Sequence, residues 1–90
     1  MPYIPQKDRN KFDDEIDLLI CEITYFGTRA PLIGEVNYIF SKIIWRLFEE
    51  HPSYTRGNEL VGVLECVKQE FIRRRLNGYE DEKILENGDL

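Results

Sequence analysis

The sequence has few of the residues and motifs on which enzymes and membrane proteins most often depend. Its 90 residues include one histidine and two cysteines, Cys21 and Cys66, and neither cysteine has the CxxC or Cys/His spacing typical of a metal site. No glycine-rich phosphate loop, nucleophile elbow or zinc motif is present. No apolar run approaches the roughly 20 residues that span a bilayer, and residues 1–20 lack the apolar centre of a secretory signal. We therefore expect a cytoplasmic protein without a cofactor or metal, whose cysteines are small buried side chains in a reducing compartment.

Basic residues are too few for a general nucleic-acid-binding surface. The 17 acidic and 12 basic residues give a net charge of −5, whereas binding to a phosphate backbone needs a basic surface that displaces counterions. The charges are also unevenly placed. Residues 13–22 hold five acids and no base, while Arg73, Arg74 and Arg75 form a basic run. Opposed patches of this kind can pair between helices or between subunits.

Apolar residues recur at steps of three and four along most of the chain, which is the helical period. Three helices are predicted, at about 8–26, 31–50 and 58–77, with Gly27, Pro52 and Gly78 as their stop signals. The remaining residues support one short helical turn around 82–85. No strand is required. We predict a single all-α domain over residues 1–90, a three-helix bundle-like unit with a short C-terminal helical turn.

Each predicted helix carries a second apolar patch beside its main stripe. The patches consist of Leu18, Cys21 and Tyr25 on the first helix, Tyr38 and Trp45 on the second, and Val61, Ile72 and Leu76 on the third. A lone three-helix bundle has one core and leaves much of this surface exposed. The C-terminal tail is long enough to cover one patch, but three are harder to cover. We therefore expect a homo-oligomer, with an interface formed by Leu18, Tyr25, Tyr38 and Trp45.

Polar side chains interrupt the apolar faces of the second and third helices. They are Glu35 and Asn37 on the second helix and Glu65, Lys68 and Arg75 on the third. Because a buried charge costs several kcal/mol unless it is paired, we expect Glu65 to pair with Lys68, Arg75 or Asn37. A network that sets helix register explains these residues as well as a pocket does. As a pocket, joined by Arg74, they would suit a phosphate or carboxylate, and adjacent aromatic residues would stack on a base.

Helix-borne carboxylates raise the alternative of a Mg²⁺-dependent all-α nucleotide pyrophosphohydrolase. Such enzymes use ExxE and ExxD pairs to hold Mg²⁺ against a triphosphate. The corresponding carboxylates in this chain would be Asp14 and Asp17 on the first helix, Glu35 on the second, and Glu65 and Glu70 on the third. The match to the required pairs is poor, because Asp14 lies opposite the core stripe and the second helix supplies one carboxylate only. A solvated face explains the acidic run more simply.

Several short segments carry a family resemblance. They are the opening MPYIPQKDR at residues 1–9, GEVNY at 34–38, two parts of the third helix at 62–65 and 70–74, and a tail that runs from 79–81 to the ENGD motif at 86–89. Together they resemble a family of short, functionally uncharacterised helical proteins that are encoded largely by phages and prophages. The resemblance implies an all-helical fold, a viral or mobile-element origin and hence a place in the host cytoplasm. It carries no catalytic residues.

These features favour a non-enzymatic helical binding protein. Small phage proteins often act by binding, so by analogy we expect this chain to bind a host protein or to sequester an anionic, nucleotide-like small molecule. The alternatives are the hydrolase described above and a purely structural or regulatory oligomeric subunit, in which the polar residues only specify packing.

Overall fold

The computed structural model describes residues 3–90, so Met1 and Pro2 of the opening motif lie outside the described residues. The described chain is helical almost throughout and contains no strand. The elements are a short 3₁₀ turn at Gln6–Asp8, α1 at Asn10–Thr24, α2 at Ile33–Glu50, α3 at Tyr54–Phe71, a π-helical segment at Ile72–Leu76 and α4 at Asn77–Asn87. The predicted all-α fold is confirmed.

The chain divides into two compact units, Met1–Glu50 and His51–Leu90. The first unit contains α1 and α2, and the second contains α3, the π-helical segment and α4. The single domain over residues 1–90 stays a prediction.

The first helix ends in a left-handed turn built from two aromatic residues. Tyr25 has φ 46° and Phe26 has φ 55°, and Gly27 follows with φ 83°. Glycine adopts a positive φ without strain, whereas bulky side chains do so at a cost. Hydrogen bonds hold the turn: the N–H of Phe26 donates to the carbonyl of Cys21 at 2.8 Å, and the hydroxyl of Thr24 accepts from the N–H of Gly27 at 3.1 Å.

The third helix begins earlier than its apolar stripe indicates. α3 starts at Tyr54, four residues before the predicted position 58. The side chain of Ser53 accepts a hydrogen bond from the N–H of Arg56 at 3.0 Å. Serine in this position satisfies one of the free N–H groups of a first helical turn, so Ser53 is the N-cap.

The same helix also continues through its predicted stop signal. Asn77 has helical dihedrals, φ −62° and ψ −41°, and its N–H donates to the carbonyl of Ile72, five residues earlier. α4 then runs for 11 residues, and Gly88, with φ 86°, ends it. The turn predicted at 82–85 is therefore part of a longer helix, and residues 54–87 form one continuous helical stretch.

The π-helical segment has a cause in the spacing of apolar residues. From Leu60 the main stripe advances to Leu64, Val67 and Phe71 by steps of four, three and four. Leu76, which the α-helical period assigns to the second patch, lies five residues after Phe71. Residues five apart lie on different faces of an α-helix, whereas the hydrogen bond of a π turn joins residues i and i+5. The wide turn therefore keeps Phe71 and Leu76 close to one face.

No residue between Tyr3 and Leu90 is buried in either unit. Most of the apolar side chains predicted to form a core are exposed, Ile43 and Leu64 among them, and the rest are half-buried. The second patches are exposed as well, apart from the half-buried Cys21 and Ile72. The described part of each unit therefore has no hydrophobic core of its own. Within the described residues no helix is both long and apolar enough to cross a membrane.

Candidate binding site

An open groove of about 470 Å³ lies between α1 and α2, inside the first unit. Aliphatic side chains from both helices line it, and its polar residues are Glu22, Tyr25, Arg29, Glu35 and Tyr38. Three residues named from the sequence meet here: Glu35 from the predicted ligand set, and Tyr25 and Tyr38 from the predicted interface.

Arg29 organises the groove, although it lies in the loop between the two helices. Its Nη2 atom is 2.7 Å from Oε1 of Glu35, and its Nε donates to the carbonyl oxygen of Ile23 at 3.3 Å. The guanidinium carbon lies 4.0 Å from the centroid of the Tyr25 ring. A cation is favoured near the C-terminal carbonyls of a helix and over the face of an aromatic ring. Arg29 therefore ties the end of α1 to the first turn of α2.

These contacts account for the strained backbone at Tyr25. A left-handed conformation costs an aromatic residue on the order of 1 kcal/mol, and surrounding contacts must offset that cost. Here the Tyr25 ring lies under the Arg29 guanidinium, whose side chain is 27% exposed. The ion pair with Glu35 holds the guanidinium in that place.

The sequence pattern did not single out Arg29, because it lies outside every apolar stripe. A local signal was nevertheless present. Arg29 follows the stop residue of one helix and precedes Glu35, an acid in the first turn of the next. A cation between a helix C-terminus and an acidic first turn is well placed to interact with both.

Asn37 is not part of the groove. Its side-chain oxygen accepts a hydrogen bond from the Ser41 hydroxyl at 3.0 Å, one turn further along α2. Asn37 belongs to the first unit and Glu65 to the second, so their expected pairing stays a prediction.

The polar residues of the second unit are exposed on one long helix. Oε1 of Glu65 lies 3.8 Å from Nζ of Lys68, which is the expected pairing, and also accepts from the side-chain amide of Gln69 at 2.9 Å. The structure differs from the expectation that these charges are buried, and an exposed ion pair contributes little to stability.

Glu70, and not Glu65, is the carboxylate that pairs with the basic run. Its Oε2 atom lies 3.0 Å from Nη2 of Arg73 and 3.8 Å from Nη1 of Arg74. Arg75 makes no ion pair with Glu65 in the described chain. Of the six residues predicted as one ligand site, Glu35 lies in the groove and Asn37 lies elsewhere on α2. The other four lie on the helical stretch of the second unit, and a shared ligand site stays a prediction.

The predicted interface residues all present exposed surface. Leu18, Tyr25 and Tyr38 are more than half exposed, and Trp45 is 66% exposed. Their role in an interface stays a prediction.

The hydrolase alternative requires several carboxylates that together hold a metal ion. Among residues 3–90, no three side chains of the His, Cys, Asp or Glu type lie close enough to hold a metal ion. Cys21 and Cys66 are free thiols, and Cys66 is exposed, where a buried side chain was expected.

The described residues thus form a small, largely helical chain whose apolar faces are unburied and whose ion pairs are at least partly exposed. The chain belongs to the family described as Domain of unknown function (DUF6899), whose model matches residues 1–90. The expected membership of a functionally uncharacterised family is thereby confirmed. No curated protein and no solved structure matches the chain.

Proposed function

We propose that this chain is a non-enzymatic helical binding protein that acts as a homo-oligomer and recognises a host protein. The observation that carries the proposal is the lack of any buried residue between Tyr3 and Leu90, combined with an apolar stripe on every long helix. Burying a large apolar side chain contributes about 1.5–3 kcal/mol. The exposed stripes are therefore surfaces that gain free energy when another surface covers them.

The second unit supports association most directly. Its α3, π-helical segment and α4 follow one another without a break, and a single helical stretch cannot bury its own apolar stripe. Phe71, Leu76 and Tyr79 are all exposed on this helix. Short isolated helices are marginal in water, and packing of an amphipathic face supplies most of their stability.

The ion pairs favour a protein partner over an anionic small molecule. Of the cations expected to hold a phosphate, Lys68 lies near Glu65 and Arg74 lies near Glu70. In the groove, Arg29 pairs with Glu35. The groove itself is lined by two carboxylates, Glu22 and Glu35, against one guanidinium. An anion would have to displace an internal carboxylate before it could bind.

A viral or mobile-element origin, and a place of action in the host cytoplasm, are part of the same proposal. They rest on the resemblance of the opening motif, the GEVNY segment and the ENGD tail to phage-encoded proteins.

Two measurements on the purified chain test the proposal. Light scattering from 1 to about 100 μM should report a mass of at least two chains, and a constant monomer mass would contradict self-association. A thermal-shift and turnover screen of nucleotides, with and without Mg²⁺, should show no hydrolysis. Mg²⁺-dependent turnover would overturn the non-enzymatic role, and stabilisation without turnover would replace the host protein by an anionic ligand.

A further inference from the structure

The sequence from Phe71 to Ile84, FIRRRLNGYEDEKI, has its centre between Asn77 and Gly78. Apolar residues lie at equal distances on the two sides of this centre, and the two charged runs, also at equal distances, have opposite signs. Leu76 and Tyr79 are equidistant from the centre, as are Phe71 and Ile84. Between them, the basic run at 73–75 on one side matches an acidic run at 80–82 on the other. We call residues 71–84 the charge-mirrored segment.

The structure makes this segment helical along its whole length. It comprises the last residue of α3, the π-helical segment and most of α4. The π turn keeps Leu76 near the face of Phe71, and Tyr79 follows on the same side one turn later. These apolar side chains, together with Ile84, are exposed. At the centre, a Cβ added to Gly78 would meet no atom within 4 Å, so a neighbouring helix has room to approach closely.

We infer that the charge-mirrored segment is a self-recognition surface that pairs antiparallel with the same segment of a second copy. Antiparallel pairing about the centre places the basic run of each copy opposite the acidic run of the other. It also places Leu76 of each copy beside Tyr79 of the other. Such a contact is a two-fold interface, in which the same patch serves both subunits. Parallel pairing would instead oppose like charges, which is unfavourable.

The acidic run is available for this contact, because no ion pair in the described chain involves Glu80, Asp81 or Glu82. In the basic run, Arg73 interacts with Glu70 of its own helix, but an exposed pair within a helix is weak, so Arg73 can turn to a second copy. The pattern favours a second copy as the partner. When the second copy runs in the opposite direction, each charged run lies opposite the run of opposite sign, because the two runs are equidistant from the centre.

This inference rests on the self-association proposed above and adds the surface and the orientation. Charge exchange tests it. The variant R73E/R74E/R75E makes both runs acidic, and E80R/D81R/E82R makes both runs basic. Each variant alone should self-associate at least tenfold more weakly than the wild type in light scattering, because like charges then face each other. An equimolar mixture of the two should recover the wild-type affinity, and so should a single chain that carries all six exchanges.

Controls with the same change of net charge separate a specific contact from a general charge effect. K7E/R9E/K11E matches the first variant and D13R/D14R/D17R matches the second, on parts of the chain outside the charge-mirrored segment. Both controls should retain wild-type association, and circular dichroism should show that every variant stays helical. The six-exchange chain keeps the test decisive if a triple variant fails to fold.

The orientation is measured as the distance between spin labels on two paired copies. Each copy carries one label at Glu86→Cys, and Cys21→Ser and Cys66→Ser remove the other thiols. Antiparallel pairing places the two labels 17 residues apart along the axis, about 25 Å at 1.5 Å per residue, whereas parallel pairing places them roughly 10 Å apart. The inference is contradicted if the labels lie close together, if a triple variant associates as strongly as the wild type, or if the mixture fails to recover the wild-type affinity. Each of these outcomes leaves self-association standing. A monomeric wild type would instead refute the proposed function on which it rests.

Discussion

At the scale of single residues, Arg29 does more for this structure than its place in a loop indicates. It interacts at once with a carboxylate, a backbone carbonyl and an aromatic ring, and it comes from the short connection between α1 and α2. Its fork of N–H donors allows one residue to contact several groups in fixed directions, which a lysine cannot reproduce.

Replacement of Arg29 by alanine should lower the free energy of unfolding by about 1–2 kcal/mol, since one charge-assisted hydrogen bond and one ring contact are lost and the ion pair is partly exposed. Arg29→Lys should recover only part of the loss. Arg46→Ala, on the same unit and without an ion pair in the described chain, is the matched control and should change stability by less than about 0.5 kcal/mol. Urea unfolding at one fixed protein concentration measures all three. Equal losses at Arg29 and Arg46 would contradict the role given to Arg29.

Phe26 tests whether the turn after α1 is strained. Its backbone is left-handed, with φ 55°, and its side chain is 74% exposed, so burial of the ring offsets little of the strain. Phe26→Gly should therefore be more stable than Phe26→Ala by about 1 kcal/mol, because alanine keeps the steric conflict and glycine removes it. Thermal unfolding of the two variants side by side gives the comparison. If alanine proves the more stable, the left-handed turn is absent in solution.

At the scale of elements, the π-helical segment shows how apolar spacing changes local geometry. The five-residue step from Phe71 to Leu76 would move the stripe around an α-helix, and one wide turn prevents this. Asn77 and Gly78, which usually mark a helix end, remain helical because the stripe continues beyond them to Tyr79.

Deletion of one residue tests whether the π-helical segment serves to keep the apolar stripe on one face. Removing Arg74 shortens the step between Phe71 and Leu76 to four, so the helix should become α-helical there and keep its helical content. Association should weaken by less than fivefold, since one of the three cations of the basic run is lost. Removing Lys68 from α3 should rotate Leu64 away from the face of Phe71 and weaken association at least fivefold. Circular dichroism and light scattering measure the two effects. The explanation fails if both deletions behave alike.

At the scale of the whole molecule, the unburied apolar surface is the dominant feature. No residue between Tyr3 and Leu90 is buried, yet several aromatic side chains, including Tyr38 and Trp45, lie along the helices. Anything that binds the folded chain and not the unfolded one raises its apparent stability. For a homo-oligomer, that ligand is the protein itself.

The melting temperature should therefore rise with protein concentration between 1 and 100 μM, since dilution favours dissociation and then unfolding. Trp45→Glu should lower the melting temperature at 100 μM and reduce its dependence on concentration, because a charge would replace an apolar anchor. Tyr54→Glu alters an aromatic residue that is 94% exposed and outside the predicted interface, and should leave both unchanged. A melting temperature independent of concentration in the wild type would refute the oligomer.

The helices can be predicted from local sequence, because a helix depends on local hydrogen bonds and on apolar residues spaced three and four apart. The stop signals agree with the structure at Gly27, which lies in the left-handed turn after α1, and at Pro52, two residues after the end of α2. Where two local signals disagreed, as at Gly78, the apolar stripe prevailed over the stop residue, and the prediction of a helix end was wrong.

Contacts between polar groups of different elements depend on tertiary structure. The ion pair of Arg29 with Glu35 depends on the path of the loop between two helices, and no periodic pattern encodes that path. Glu65 and Asn37 interrupt similar apolar faces, and the contacts that the structure shows for them are local: Asn37 accepts from Ser41, and Glu65 lies near Lys68. The apolar stripes predict that each helix face needs a cover. Which surface covers each face depends on packing between helices, and a helical period sets only the direction in which a side chain points.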